Sequence, residues 1–330
     1  MSILILRSGT DPCAELVQRA VEEGGGQAVS VDTDQFPTGA GIRIDAEDWT
    51  SAVIDAGGSS LPLRDVSAVW IRHIEAGAGL PAELDPALRR ACRGQSISAL
   101  WSLLECLPVF QLDPVDALRC APAKPRQIQL ARRLGLDVPR TLLTNDPDAV
   151  RSFAAACPAG LVTKMVSSSV QLETTRGLET IYTRTVEPGE LESLDGLDLC
   201  PMLFQERVPK AQELRITVVG SRMFVAAIDS SASETGAVDW RRDQSLVGSF
   251  RPYDRLPEPV QARIFALLDR LALNFATVDM ILTPDGRYVF LEVNTISFFA
   301  FVERAAGLPI SAAVADLLLG RSAPRVEPRR

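Results

Sequence analysis

A single histidine, His73, occurs in the whole 330-residue chain. That scarcity removes the His-rich zinc sites and leaves any Ser-His-Asp triad with one candidate base. His73 ends the apparent strand of "SAVWIRHIEAG" and reads as a structural or surface histidine. The six cysteines (13, 92, 106, 120, 157 and 200) are scattered, with no C-x-x-C pair, which points to reduced thiols in a cytoplasmic protein. No apolar run approaches the roughly 20 residues that cross a bilayer. The opening "MSILILRSGT" is too short for a signal peptide and carries Arg7 where the apolar run would continue, so it reads as a first strand. A membrane partner is therefore not expected. Basic residues are outnumbered, 34 to 42 acidic, which argues against nucleic acid as the main partner. The usual glycine-rich phosphate loops are missing too: neither G-x-x-x-x-G-K-[ST] nor G-x-G-x-x-G is present.

What is present is a globular composition, 46% hydrophobic and 23% charged, in a chain long enough for two or three packed subdomains. Strand-like "ILIL", helical "PCAELVQRAVEEGG", "AVSVD" and "VSAVWIRH" alternate as in an α/β unit with a mostly parallel sheet. A longer helix, "LRRACRGQSISALWSLLECL", and a short strand, "PVFQLDP", lead to a proline-punctuated joint near residue 115. Helices "PRQIQLARRLG" and "PDAVRSFAAAC" follow, then strands "GLVTKMV", "LETIYTRTV" and "PMLFQERV". Two hairpin-like stretches, with the helix "EPVQARIFALLDRLAL" between them, and a last helix, "LPISAAVADLLLG", complete the pattern.

The second hairpin, "VDMIL-TPDG-RYVFLEVN", buries two polar groups in an apolar strand. Glu292 and Asn294 are two residues apart and so share a face. With Thr283 paired to Gly286 across the turn, Asp279 falls opposite Phe290 and joins that face; a loop one residue longer would flip the register. Two carboxylates and an amide oxygen form an all-oxygen set that suits Mg²⁺ when phosphate lies nearby. Taken alone, the hairpin fits solvated carboxylates as well. Phosphate partners are offered by Lys124, before "PRQIQLARRLG", and by Lys164, inside "LVTKMV" and ahead of the serines at 167–169. Either lysine by itself also fits a side chain that snorkels to the surface.

The stretch "FQERVPKAQELR" places Glu206 and Glu213 seven residues apart, with Arg215 beginning the next strand. In order and spacing, these residues resemble the ATP-grasp superfamily over roughly residues 115–320. The resemblance implies an ATP-grasp fold of the α/β (α+β) class. An N-terminal pre-ATP-grasp domain (1–115), a central subdomain (116–205) and a C-terminal subdomain with the metal site (206–330) are expected. It also implies ATP and Mg²⁺ as cofactors. ATP would be held by Lys124, Lys164, Ser167, Gln205, Glu206, Arg207, Val208 and Glu213, and the metal by Asp279, Glu292 and Asn294. Arg215 would approach the transferred phosphoryl group. Arg241 would hold the substrate carboxylate or acyl phosphate, Asp239 would be a base, and Arg72 would face the same cleft.

The segments "VSAVWIRH", "DVPRTLLTNDPDAVRSFAAA", "FQERVPKAQELRITVVG", "VDWRRD" and "FATVDMILTPDGRYVFLEVN" are similar to the microviridin-type, or graspetide, macrocyclases. That resemblance implies a leader-bearing precursor peptide as substrate, with side-chain esters or amides as product, and a homodimer. The chain departs from that family at "NTISFFAFVE", where a turn with Pro and Gly and a Trp is usual. A ligase that adds amino acids to a peptide or protein terminus would share the nucleotide residues. A non-catalytic nucleotide-binding or peptide-binding protein is the remaining alternative.

Overall fold

A computed structural model describes residues 2–167, 171–174, 177–230, 233, 236 and 238–327. The N-terminal unit is built on a parallel four-stranded sheet in the order Gln27–Asp32, Ser2–Arg7, Val66–Ile71, Phe110–Leu112. The first strand is buried on both faces, which explains its continuous apolar run. Helix Pro12–Glu23 starts where the Asp11 carboxylate accepts the Cys13 and Ala14 amides at 2.9 and 3.2 Å. Residues 40–62 add a small antiparallel meander, which the sequence reading did not anticipate.

The middle sheet is antiparallel, in the order Arg184–Val186, Leu161–Lys164, Met202–Glu206, Thr141–Thr144. "LETIYTRTV" was expected to be one strand. Its residues fall in two, Gly177–Thr180 and Arg184–Val186, because residues 181–183 leave the ladder to line a cavity.

The C-terminal sheet runs Arg251–Pro252, Arg222–Ile228, Gln212–Val219, Phe275–Leu282, Tyr288–Asn294, all antiparallel. Its lower face packs Ile216, Val218, Val278 and Phe290 against Ile264, Leu267 and Leu268 of helix Glu258–Arg270. Ile128 and Ala131 of helix Lys124–Arg133 join the same core. A second core joins the sheet to the N-terminal unit: Trp70, Phe275 and Phe299 meet edge to face or tilted, beside helix Ile310–Leu318.

The last hairpin differs from its expected register. Thr283 N–H donates to Arg287 O at 2.9 Å, so the turn holds three residues, Pro284 to Gly286. Gly286 takes φ 86°, the left-handed conformation that closes such a turn. Phe290 therefore faces Met280, not Asp279. Continued unchanged, that register would put Asp279 and Glu292 on opposite faces. A bulge at Leu291 intervenes and sets Asp279 directly opposite Glu292, and Thr277 opposite Asn294. Two deviations of one residue thus restore the shared polar face. No helix among the described residues is long and apolar enough to cross a membrane.

Candidate active site

Between the middle and C-terminal sheets lies a cavity of ≈ 490 Å³. Lys124, Lys164, Ser167, Gln205, Glu206, Arg207, Val208, Glu213, Arg215, Asp239, Arg241, Asp279, Glu292 and Asn294 all line it. Ser168 and Ser169 lie outside the described residues.

Glu292 is the centre of charge. Its Oε2 lies 3.7 Å from Lys124 Nζ, at the start of a helix, and 3.8 Å from Lys164 Nζ, at the end of a middle-sheet strand. Lys124 also donates to Met165 O at 3.0 Å. Burial alone would push the Glu292 carboxyl up; Lys164, Lys124 and Arg241, with a hydrogen bond from Asn294, hold it down at about 2. Burial lowers the Lys164 ammonium, and the Glu292 charge opposes that shift.

Opposite this group, Arg215 pairs with Asp279 across the strands, at 3.1 and 3.4 Å. Asn294 Nδ2 donates to Asp279 Oδ2 at 2.8 Å. Burial raises the Asp279 carboxyl to about 6; Glu292 acts in the same direction and Arg215 against it. Arg215 is further fixed by Ser297 Oγ, 2.9 Å from its Nη2, and by the Trp240 and Phe301 rings, each 5.8 Å away.

Arg72 does not reach the cavity. It is 1% exposed, pairs with Asp11 at 2.8 and 3.3 Å, and donates to Ser297 O at 2.9 Å. A buried guanidinium needs such a partner, and Asp11 supplies it from the neighbouring loop. Arg72 and Arg215 thus hold Ser297 from two sides, one by its carbonyl and one by its hydroxyl. Ser297 was not anticipated; its only sequence signal is the departure at "TISFF". His73 is also outside the cavity, 3.4 Å from Glu75.

At the other end, the Glu206 and Arg207 amides are engaged by Arg140 O and Gly160 O, both at 2.9 Å. Pro209 has no N–H, so the Val208 amide is the next hinge donor. Glu213 Oε1 accepts from Lys210 at 2.6 Å and from Ser230 at 2.5 Å. Lys210 was missed, although a lysine three residues before the acid in "VPKAQE" was a usable signal.

Asp239 has both oxygens engaged by Arg241, at 2.8 and 2.6 Å, and also accepts the Thr183 amide at 3.3 Å. A carboxylate held in this way orients the guanidinium and is not a free base. Burial opposes the Arg241 charge, but Asp239 outweighs it and raises the pKa of the group above its ordinary value.

Among the described residues, no three His, Cys, Asp or Glu side chains converge as a metal site. The acid pair Asp279 and Glu292 is completed by an amide, and such an all-oxygen set, with one member firmly anionic, fits Mg²⁺ and not a softer metal.

Residues 2–119 match the family model of the MvdD pre-ATP grasp domain. The chain is similar to the macrocyclase MdnC bound with precursor peptide MdnA from Microcystis aeruginosa MRC. The two are 35% identical with a TM-score of 0.88, over 97% of this chain and 100% of that one. It is also similar to a Chryseobacterium gregarium RiPP-associated ATP-grasp ligase in complex with ADP and a leader and core peptide. Here identity is 28% and the TM-score 0.92, over 99% and 98% of the two chains. A ribosomal protein bS6–L-glutamate ligase from Escherichia coli (strain K12 / DH10B) is 29% identical over 212 residues, which is 63% of this chain. The chain spans 66% of that ligase's length. A nucleotide-sized cavity edged by lysines and paired acids, in a fold shared over full length with MdnC, has one reading. The chain belongs to the ATP-grasp superfamily, in the graspetide maturase family of ribosomal-peptide macrocyclases.

Proposed function

We propose that this protein is an ATP-dependent macrocyclase of a leader-bearing, ribosomally made precursor peptide. It activates core Asp or Glu side chains as acyl phosphates and joins them to Ser/Thr hydroxyls as esters or to Lys amines as amides. One observation carries the proposal: Lys124, Lys164, Arg215 and Arg241 converge with Asp279, Glu292 and Asn294 on one cavity. That cavity can take a triphosphate and a carboxylate side by side.

In the first step a substrate carboxylate oxygen attacks the γ-phosphorus, the bond to the β,γ-bridging oxygen breaks, and ADP leaves. In the second, a hydroxyl or amine attacks the acyl carbon, the acyl–phosphate bond breaks, and inorganic phosphate leaves as the nucleophile loses its proton. No protein nucleophile is needed, so positioning and charge stabilisation carry the catalysis. Lys124 and Lys164 neutralise the inner phosphates. To do so they exchange Glu292 for the nucleotide, and Glu292, Asp279 and Asn294 are the residues that would hold Mg²⁺. Bound there, the metal would supply charge neutralisation for the phosphates. Arg215, clamped by Asp279 and Ser297, faces the charge that develops on the transferred group. Arg241, oriented by Asp239, holds the substrate carboxylate. At the hinge, Val208 N–H meets the base, and the second oxygen of Glu213 is left for the ribose.

The test is ATP turnover with a leader-bearing precursor peptide sought among the reading frames adjacent to this chain's gene. Arg215→Ala should lose roughly 10²- to 10³-fold in turnover while nucleotide affinity changes little. Unchanged turnover would sink the site assignment.

A further inference from the structure

We infer that Thr141 is a positioning residue that sets the base selectivity of the nucleotide site, by locking which end of the Gln205 amide faces the cavity. The inference rests on the proposal that this cavity binds a nucleoside triphosphate, and it specifies which one.

Thr141 and Gln205 are direct cross-strand partners in the middle sheet. Gln205 is 3% exposed and lines the cavity, so its side chain has few orientations. An amide's oxygen and nitrogen are nearly the same shape, and only hydrogen-bond partners decide which points where. Here the decision is made outside the cavity. Thr141 Oγ1 has one proton and lies 3.0 Å from the Pro139 carbonyl, which can only accept. The proton is therefore committed to Pro139. Thr141 Oγ1, 2.9 Å from the Gln205 amide, must then accept, so the group facing it is Nε2. The reverse orientation would set the amide oxygen against a hydroxyl with no proton left to give.

Gln205 Oε1 is consequently turned away from Thr141. Among the described residues it accepts no hydrogen bond, and it is not sealed off from the cavity: the one buried side-chain polar atom there without a partner is Arg215 Nε. A fixed acceptor on the wall of a cavity that Val162, Ile281 and Leu291 also line selects a base that offers an N–H. The 6-amino group of adenine does so. The 6-carbonyl of hypoxanthine or guanine sets acceptor against acceptor, and a site built around a hydrogen bond rejects the partner that cannot make it. Without the Thr141 hydroxyl, the Gln205 amide can turn and present Nε2 instead, which suits the 6-carbonyl.

The experiment measures displacement of a fluorescent adenine nucleotide by ADP and by IDP, which differ in the base in the group at position 6 and in the proton that N1 of hypoxanthine carries. Wild-type protein, Thr141→Val and Thr141→Ser are compared. The ratio of the two affinities does not depend on how much of a preparation is folded. The wild type should favour ADP by roughly tenfold or more. Thr141→Val should bring the ratio within about threefold of unity, and Thr141→Ser, which keeps the hydroxyl, should restore the preference. A Thr141→Val protein with the wild-type ratio, or a wild type indifferent to the base, overturns the inference alone. A wild type that binds neither nucleotide overturns it together with the reading it rests on.

Discussion

Replacing Glu292 by Gln separates what the residue does for the fold from what it does for the reaction. With no nucleotide bound, Glu292 ties the C-terminal sheet to helix Lys124–Arg133 and to the middle sheet by facing Lys124 at 3.7 Å and Lys164 at 3.8 Å. Its carboxyl is held at about 2 where 4.5 is ordinary, which corresponds to about 3 kcal/mol in favour of the charged form in the fold. Breaking a buried ion pair by removing one partner costs about 3–5 kcal/mol, because the other charge is left stranded. The two routes agree. Glu292→Gln should therefore destabilise the protein by about 3 kcal/mol in urea unfolding near neutral pH, with chelator present and nucleotide removed. The same change in a Lys124→Met background should cost less, since one stranded ammonium is already gone. A loss below about 1 kcal/mol in the single variant would refute the reasoning, as it would mean the three groups behave like an exposed pair.

Asp113 provides a pH test away from the cavity. Burial raises its carboxyl to about 7 although the Asn274 and Phe275 amides donate to it at 2.7 and 3.0 Å. The folded protein thus keeps this proton to a higher pH than the unfolded chain does, and stability falls as pH rises from about 4 to about 7. Urea unfolding at about pH 5.5 and about pH 8 should show roughly 2 kcal/mol of this loss in the wild type and not in Asp113→Asn; an equal slope in both would contradict it. Ser297→Ala removes the hydroxyl that fixes Arg215 but not the guanidinium. Turnover should fall about tenfold with ADP affinity within about threefold of wild type, and equal losses in both would point to a general structural defect.

The sequence and the structure differ in instructive ways. The N-terminal alternation of strand and helix was legible because hydrophobic periodicity and the Asp11 cap are local signals. The lysines and acids of the cavity were legible because charges inside apolar strands demand partners. The hairpin register was not, because the longer turn and the bulge at Leu291 are decided by pairing with the neighbouring strand. Arg72 reads as a cleft residue until its partner Asp11, sixty-one positions away, is brought beside it. Ser297 carries no local mark beyond the departure at "TISFF", since its role depends on Arg72, just past the strand Val66–Ile71, and Arg215, within the strand Gln212–Val219, meeting at one residue.

The most direct test is the mass of a leader-bearing precursor peptide, sought among the reading frames adjacent to this chain's gene, after incubation with the protein, ATP and Mg²⁺. Macrocyclisation predicts the loss of one water for each ester or amide formed, with ADP and phosphate released in step and no residue added. A peptide that gained the mass of an amino acid would contradict the account and favour the glutamate-ligase type of reaction instead.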